Sequence, residues 1–335
     1  MLRYLPPFAF LALLPLGAWL GGLWTFTGAA AIALGLAFLD SAFGKGKGSP
    51  ESTDSRIVRL LPATYGVLQL AVAAWIAFEI GQGKVSVLEA AGLTLSNGLA
   101  TGVFGLSAAH ALIHSRIRSA RALGLIFLSS LFYMHFRISH IYGHHRRAAT
   151  LDDPASARLG EGLYAFLFRS IVGQFREAWD FEAVRQRRAG RPVLHQRNRM
   201  IQFLAIEISI MAALAFISSA VLAYVIVNAA LSILLIETFN YVAHYGLSRG
   251  SADTAARLGP EHSWNSANRM NNSALFNMGR HSDHHRHAAS PYPQLKPLKQ
   301  APELPSGYAA AMLTALVPSL WRRRMDPRVA AASRR

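Results

Sequence analysis

The chain contains apolar stretches long enough to cross a lipid bilayer, and these stretches restrict its fold more than any other feature. Four of them lie at roughly residues 5–23, 25–42, 58–80 and 86–107, and apolar sequence returns from Met200 to Glu237. Because a membrane-spanning helix needs about 20 apolar residues, the first four predict two helical hairpins and the last predicts two further crossings. The sequence therefore predicts an all-α integral membrane protein with six transmembrane helices.

Positive charge is concentrated beside these stretches. The chain carries 34 Lys and Arg against 18 Asp and Glu, and the part from Ser115 to Arg199 is rich in Arg. Cytoplasmic loops of membrane proteins carry such an excess, and no nucleic-acid-binding motif accompanies it, so we expect membrane lipid and no nucleic acid as partners. The pattern predicts an inner membrane protein of the bacterial type with both termini in the cytoplasm.

This topology divides the chain into four parts. Residues 1–109 hold the first four helices and residues 200–238 the fifth and sixth, whereas residues 110–199 and 239–335 form the two halves of a cytoplasmic cap. The apolar segment Ala122–Phe136 is only about 15 residues long, which is short for a span. A crossing there would also separate the histidines before it from those after it. We therefore expect a buried or interfacial helix at this segment.

Nine of the 13 histidines fall into four closely spaced groups. They are a first box of His110 and His114, a second box of His140, His144 and His145, the single His244, and a third box of His281, His284 and His285. A spacing of four, or of three then four, puts imidazoles on one face of a helix, so both can reach one metal ion. The adjacent histidine in the second and third boxes is rotated by about 100° and can face a second ion.

Nine imidazoles are too many for one ion, whereas two metals would take four or five each and keep open positions. The chain has no cysteine, which excludes thiolate ligands, iron–sulfur clusters and disulfides. Imidazole suits iron, copper and zinc about equally, so spacing leaves the metal open. His135, His195 and His287 belong to no group, and we expect ordinary hydrogen-bonded roles for them.

From about residue 100 to residue 327 the chain resembles the integral-membrane alkane 1-monooxygenases, which belong to the membrane fatty-acid desaturase and hydroxylase superfamily. The resemblance rests on the ordered histidine boxes together with three further motifs. These are Asn-Tyr-Val-Ala-His-Tyr-Gly-Leu at 240–247, His-Ser-Trp-Asn at 262–265 and Met-Asp-Pro at 325–327. It implies six spans and a cytoplasmic cap in which the nine histidines bind two non-haem irons. It also makes His244 a ligand, although spacing alone gives that residue no local partner.

The resemblance further implies a reaction. Dioxygen is the co-substrate, the terminal carbon of an alkane or similar membrane-partitioned hydrocarbon is hydroxylated, and a rubredoxin or ferredoxin supplies electrons. No catalytic side chain is implied beyond the metal centre. Two alternatives stay open, namely a desaturase or hydroxylase of another lipid-like or aromatic-methyl substrate, and a non-catalytic metal-binding membrane protein.

Three positions depart from the family pattern. The family usually has Glu after the first histidine, before the second box and before the single histidine, where this chain has Ala111, Ser139 and Ala243. Such carboxylates orient imidazoles and offset metal charge, so their loss changes affinity or redox potential. Ala111 also excludes a zinc protease, whose motif needs Glu at that place. The candidate supporting residues around the metals are Asp153, Glu161, Glu237, His262, Asn265 and Asp283.

Small residues at 98–102, just before the first box, allow two interpretations. They leave room for an alkyl chain beside His110, or they let two helices pack closely, which is the commoner use of small residues in membrane spans.

Overall fold

Every apolar stretch of the sequence folds as helix in the computed structural model, which describes residues 1–46, 55–249 and 257–334. Within these ranges β-structure is limited to two isolated bridges, so the all-α prediction is confirmed. Residues 47–54 and 250–256, which the sequence assigns to the cytoplasmic side, lie outside the described residues, as does residue 335.

Thirteen helices follow one another along the described chain. In order they are α1 (Pro6–Leu20), α2 (Gly22–Phe43), α3 (Arg56–Gly81), α4 (residues 87–113), α5 (Arg118–Ser129), α6 (residues 136–147), α7 (Leu163–Arg188), α8 (Arg199–Ile217), α9 (Ser219–His244), α10 (Arg269–Ala274), α11 (His281–Arg286), α12 (Tyr308–Ala315) and α13 (Pro318–Ala332). Short 3-10 turns lie at Leu2–Tyr4, Pro260–His262 and Tyr292–Gln294.

Four of these helices are long and apolar enough to cross a membrane, namely α2, α3, α8 and α9. The other two predicted spans are also helical. However, α1 has only 15 residues, and α4 carries the polar residues Thr94, Ser96 and Asn97 among its buried side chains. The structure therefore supports four candidate spans at predicted positions.

Local sequence fixes where the long helices begin. Ser55 caps α3 by accepting a hydrogen bond from Val58 N at 3.3 Å. Ser86 and Glu89 form a capping box at the start of α4, in which the backbone N–H of Ser86 donates to the Glu89 carboxylate at 2.8 Å. Such caps satisfy backbone donors that the first helical turn leaves free. They set the ends of helices whose interiors are held by apolar packing.

Close packing of α4 against α9 explains the small residues at 98–102. A methyl group on Gly102 would lie 2.6 Å from Cδ1 of Leu235 and 2.9 Å from Cα of Ser232, and one on Gly98 would lie 2.8 Å from Cδ1 of Leu231. These glycines therefore bring two backbones together. The packing interpretation accounts for them.

A buried chain of amides joins α3, α4 and α9. Gln69 donates to Oδ1 of Asn97 at 2.8 Å, and Asn97 donates to Oδ1 of Asn228 at 2.7 Å and to the hydroxyl of Tyr224 at 3.0 Å. Buried polar groups in apolar surroundings need such partners. The amides fix the register of three helices that present mostly apolar surfaces.

Helix α5 covers part of the ambiguous segment Ala122–Phe136. It has 12 residues, which at about 1.5 Å per residue span roughly 18 Å, well short of a hydrocarbon core of about 30 Å. Its buried face contains Phe127 and Leu128, and Gly105 of α4 packs directly against the Phe127 ring. The segment therefore returns the chain to the end of α4, as the expected buried helix would.

The segments after α9 pack on one end of the membrane helices. Tyr292 donates its hydroxyl to Val58 O at 2.6 Å, at the start of α3. Asn277 donates to the hydroxyl of Tyr4 at 2.8 Å, and Asn268 donates to Asp40 O at 3.2 Å, near the end of α2. The starts of α1 and α3 and the end of α2 thus share one face, as helices that alternate in direction require.

Helix α13 packs against the end of α9 and gives the C-terminal motif a structural role. Asp326 accepts a hydrogen bond from the hydroxyl of Tyr245 at 2.7 Å, and Met325 is fully buried. The Trp321 ring lies 5.5 Å from that of Tyr245. The tail therefore supports the residues that follow His244.

Candidate metal centre

The nine histidines singled out by sequence meet in two groups at one end of the helices. Within each group the candidate ligand nitrogens all lie within 4.8 Å of one another. The five-histidine group contains His110, His114, His140, His145 and His284, and the four-histidine group contains His144, His244, His281 and His285. The structure thus brings together every residue of the predicted set.

The first and third boxes place their histidines in the two groups as regular helix geometry predicts. His110 and His114, one turn apart at the end of α4, both enter the five-histidine group. In α11, His281 and His285 are four residues apart and enter the four-histidine group, whereas the adjacent His284 faces the other. The third box therefore contributes to both groups from one short helix.

The second box contradicts the expectation that two histidines four residues apart bind the same metal ion. His140 and His144 enter different groups, and His140 is paired instead with His145, five residues later. The reason is the backbone conformation, because Ser139–His144 is a π-helical turn, in which hydrogen bonds run from i to i+5. Residues five apart then share a face, so the turn sends neighbouring histidines to two centres.

The separations between ring nitrogens fit a bound metal ion. In the four-histidine group the Nε2 atoms of His244, His281 and His285 form a triangle with sides of 3.1, 3.2 and 3.1 Å. Metal–nitrogen bonds of about 2.1 Å put neighbouring donors about 3.0 Å apart at right angles and about 3.4 Å apart in a tetrahedron. In the five-histidine group the Nε2 atoms of His110 and His140 are 2.8 Å apart. These nitrogen–nitrogen distances are close to the separation expected for two donors at right angles around one metal ion.

Most of the imidazoles outside the membrane helices are held in the neutral form that binds metal. Burial, with the positive charge of neighbouring histidines adding to it, lowers the pKa of His140, His145 and His284 well below the ordinary value. Burial likewise lowers the pKa of His114 to about 3. A neutral imidazole keeps a lone pair on one nitrogen, and that lone pair is what a metal ion accepts.

Two histidines of the four-histidine group are oriented through their second nitrogen. Nδ1 of His144 lies 2.8 Å from Oδ2 of Asp153, and Nδ1 of His244 lies 3.2 Å from His262 O. Burial acts to lower the pKa of His144, but the hydrogen bond to Asp153 and the negative charges of Asp153, Glu177 and Glu237 together outweigh it, and the net shift is upward. With hydrogen on Nδ1, both residues direct an Nε2 lone pair into the group.

Four other ligand candidates lack such an anchor. Among the described residues, no hydrogen-bond partner meets the buried Nδ1 atoms of His110, His145, His281 and His285. Ala111 and Ala243, at positions where the family usually has Glu, offer no acceptor to any of them. On the Nδ1 side, packing rather than a hydrogen bond therefore holds these four rings.

The remaining candidate supporting residues divide into those that touch a box and those that do not. Asn265 accepts a hydrogen bond from Ser282 N at 3.0 Å and so holds the start of α11. Asp283 faces away from the groups, where it accepts from Lys296 N at 2.7 Å. Glu161 pairs with Arg169. Neither carboxylate contacts an imidazole of the two groups.

Glu237 is fully buried in a polar network of its own. It accepts hydrogen bonds from the hydroxyls of Tyr133 at 3.0 Å and Ser170 at 2.6 Å, and from the side-chain amide of Gln174 at 2.8 Å. These contacts tie α9 to α7 and to the segment after α5. Glu237 therefore positions the helix that carries His244 without touching the histidine itself.

Glu177 is a buried carboxylate beside the second box that sequence reasoning missed. It accepts a hydrogen bond from the hydroxyl of Ser139 and pairs with Arg147. It lies 38 residues after Ser139 in a helix with many charged residues, and no local spacing marks it. Only the packing of α7 against α6 reveals the contact.

The three histidines expected to have ordinary roles lie outside both groups. His135 is buried with its ring 4.5 Å from that of Tyr133, and His195 accepts a hydrogen bond from Arg197 N at 3.0 Å. His287 is half exposed and pairs with Asp283 at 2.9 Å.

A basic groove of about 860 Å³ opens beside the second box. Four carboxylates also line it, including Glu177 and Glu182. Its arginines are Arg146, Arg147, Arg158, Arg169, Arg176, Arg185, Arg188 and Arg199. The excess of arginine makes this groove attractive to an acidic surface.

Known proteins resemble the chain over most of its length. The pattern of the fatty acid desaturase family matches residues 87–314. The alkane 1-monooxygenase of Acinetobacter baylyi is 35% identical over 301 residues, which are 87% of this chain and 73% of that protein. Alkane 1-monooxygenase 1 of Pseudomonas aeruginosa is 34% identical over 309 residues, covering 88% and 80%. The xylene/toluene monooxygenase hydroxylase component of Pseudomonas putida is 28% identical over 315 residues, covering 91% and 82%.

Proposed function

The chain belongs to the fatty acid desaturase family and is an oxygenase, and from that premise we propose that it hydroxylates the terminal carbon of an alkane or similar hydrocarbon at a di-iron site. The observation that carries this proposal is the meeting of nine imidazoles, seven of them buried and two partly buried, in groups of five and four. Two irons would fit this donor set, because imidazole suits iron and each group can leave positions open. When bound, the irons supply the redox chemistry that activates dioxygen and oxidises a C–H bond.

The chain's own residues prepare the two groups for metal. Asp153 and the carbonyl of His262 fix the rings of His144 and His244, so their Nε2 lone pairs point inward. Burial keeps water away from the imidazoles and removes competition from protons. The third box, held by Asn265, contributes histidines to both groups.

We propose that the protein has six spans, with α1 and α4 crossing alongside the four candidate spans. Both termini and the histidine groups would then lie on the cytoplasmic side of a bacterial-type inner membrane. The Arg-rich segments after α4 and in α7 support this orientation, since positive charge accumulates on the cytoplasmic face. An apolar substrate would approach from the bilayer between the helices.

The basic groove is where we propose that a rubredoxin or ferredoxin delivers electrons. These carriers are small and acidic, and the groove borders the second box through Arg146 and Arg147. Complementary charge speeds encounter and orients the partner. The arginines also suit the surface of an anionic membrane, and the two roles are compatible.

A second substrate class has its own support. The relative at 28% identity is a xylene/toluene monooxygenase hydroxylase component, so oxidation of an aromatic methyl group is the alternative reaction. The same iron site would serve both reactions, because each breaks a C–H bond of a primary carbon. A role in metal binding without catalysis is not supported, since the relatives are oxygenases.

The test is to feed membranes containing the protein a series of linear alkanes, with toluene and xylene as competitors, in the presence of reduced rubredoxin and dioxygen. Primary alcohols are quantified by gas chromatography, and iron is measured in the purified protein. We expect two irons per chain and alcohol from an alkane. Product from the aromatic compounds alone would favour the alternative, and full iron loading without product from any substrate would refute both reactions.

A further inference from the structure

We propose that Glu177, on α7, is a positioning residue that fixes the second histidine box and brings a negative charge beside it. Its side chain is only 6% exposed, and nothing in the proposed mechanism uses it. The inference rests on the proposed metal role of His140, His144 and His145.

The Glu177 carboxylate touches α6 at three places among and beside the second-box histidines. Ser139 donates its hydroxyl to Oε2, and Arg147 donates from its guanidinium to Oε1. Gly143 lies so close to the carboxylate that a methyl group on its α-carbon would overlap it. The contacts therefore include the first residue of the π-helical turn, the residue before its end, and the last residue of α6.

These contacts hold a backbone register that an ordinary helix would not adopt. A π-helical turn is rare and less favourable than continued α-helix, so neighbouring structure must stabilise it. In this register His140 and His145 share the five-histidine group while His144 faces the other. Without the contacts at both ends, the segment would relax toward a spacing of 3.6 residues per turn and misplace at least one imidazole.

Glu177, on α7, places a negative charge beside the second box, which is on α6. Ser139 occupies the place where the family usually has a glutamate, and it cannot supply a charge itself. Two metal cations held by neutral imidazoles leave buried positive charge, which a nearby carboxylate stabilises. The positive charge of Arg147 offsets part of this stabilisation, but the Arg147 side chain is 32% exposed. Water therefore screens the arginine more than the buried carboxylate.

The test compares Glu177→Gln with the wild type as full-length purified protein loaded with ferrous iron. Glutamine keeps the shape of the side chain and removes its charge. We expect iron release to an excess of chelator to be about 10-fold faster, because outer supports of metal ligands have effects of about 10–100-fold. We also expect a higher midpoint reduction potential, because lost negative charge disfavours the more positive oxidised state.

Two further variants separate positioning from general stability. Glu182→Gln is the matched control, because Glu182 is also buried on α7 and paired with an arginine, Arg185, but its hydrogen bonds go to Arg185 and to the backbone of Arg199 and not to α6. We expect it to keep the wild-type release rate and potential. Ser139→Glu combined with Glu177→Gln returns a carboxylate to the box and should recover most of the iron retention.

Each outcome decides the inference. A wild-type rate of iron release and a wild-type reduction potential in folded Glu177→Gln would overturn the inference. Equally fast iron release from Glu182→Gln would also overturn it. If Glu177→Gln does not fold, the double variant decides alone, since failure to retain iron there contradicts a carboxylate role. Absence of iron or activity in the wild type would instead refute the proposed function.

Discussion

The Nδ1 atom of His144 lies 2.8 Å from Oδ2 of Asp153, both fully buried, and among the described residues this is the one contact between a carboxylate and an imidazole of the two groups. Asp153 is itself held, because it accepts hydrogen bonds from Ser156 Oγ at 2.6 Å and from Ala155 N at 3.1 Å. The pair fixes the orientation of the only histidine that the second box gives to the four-histidine group.

Replacing Asp153 with Asn should weaken metal binding and turnover. The variant loses the charge that stabilises hydrogen on Nδ1 of His144, and such outer partners typically affect affinity or activity about 10–100-fold. Iron content after dialysis and alcohol formation are the measurements. Glu182→Gln serves again as the buried control for iron content, and wild-type iron retention in Asp153→Asn would contradict the orienting role.

Replacing His284 with Ala should abolish turnover and strip iron, because His284 is the third-box histidine of the five-histidine group. His135→Ala is the matched comparison, since His135 is also buried but lies in neither group. That variant should lose roughly 1–3 kcal/mol of stability while keeping its iron. Normal turnover in His284→Ala would show that the ligand set is wrong.

Removing iron should lower the unfolding temperature. A metal that binds only the folded state stabilises it by mass action. Apo protein prepared with a chelator should therefore melt at a lower temperature, and ferrous iron should restore the transition. Identical melting curves for apo and reloaded protein would mean that the groups bind no iron in the folded state.

Gly102→Ala should destabilise the protein, because the added methyl group overlaps Leu235 and the backbone of Ser232. Overpacking of this kind costs about 1–3 kcal/mol. Gly35→Ala is the control, since nothing lies within 4 Å of a methyl group there. A changed preference for alkane length at unchanged stability would instead favour room for substrate at Gly102.

Reversing charge in the basic groove should raise the KM for reduced rubredoxin. Arg158 and Arg188 are exposed in the groove, and a double change to Glu removes attraction for an acidic carrier. The effect should shrink as ionic strength rises, because salt screens exposed charges. Arg116→Glu with Arg118→Glu is the control outside the groove. An equal rise in KM for both pairs would place docking elsewhere.

Much of the site could be predicted because its members share local spacing. His110 with His114 and His281 with His285 lie one helical turn apart, so sequence alone places each pair on one face. The segment Ala122–Phe136 could also be interpreted, since a crossing there would have separated the boxes. The π-helical turn at Ser139–His144 could not be predicted from the sequence, because its backbone register depends on contacts that no local pattern encodes.

By itself, the sequence determined the helical class, the apolar stretches and the nine histidines, because these follow from composition and from spacing along one helix. Only the tertiary structure decided how the histidines divide into five and four, since that division depends on the π-helical register and on how α4, α6, α9 and α11 converge. It also decided the partners of Asp153 and Glu177. Hydrogen bonds between residues far apart in sequence form where helices pack, and packing is a property of the whole chain.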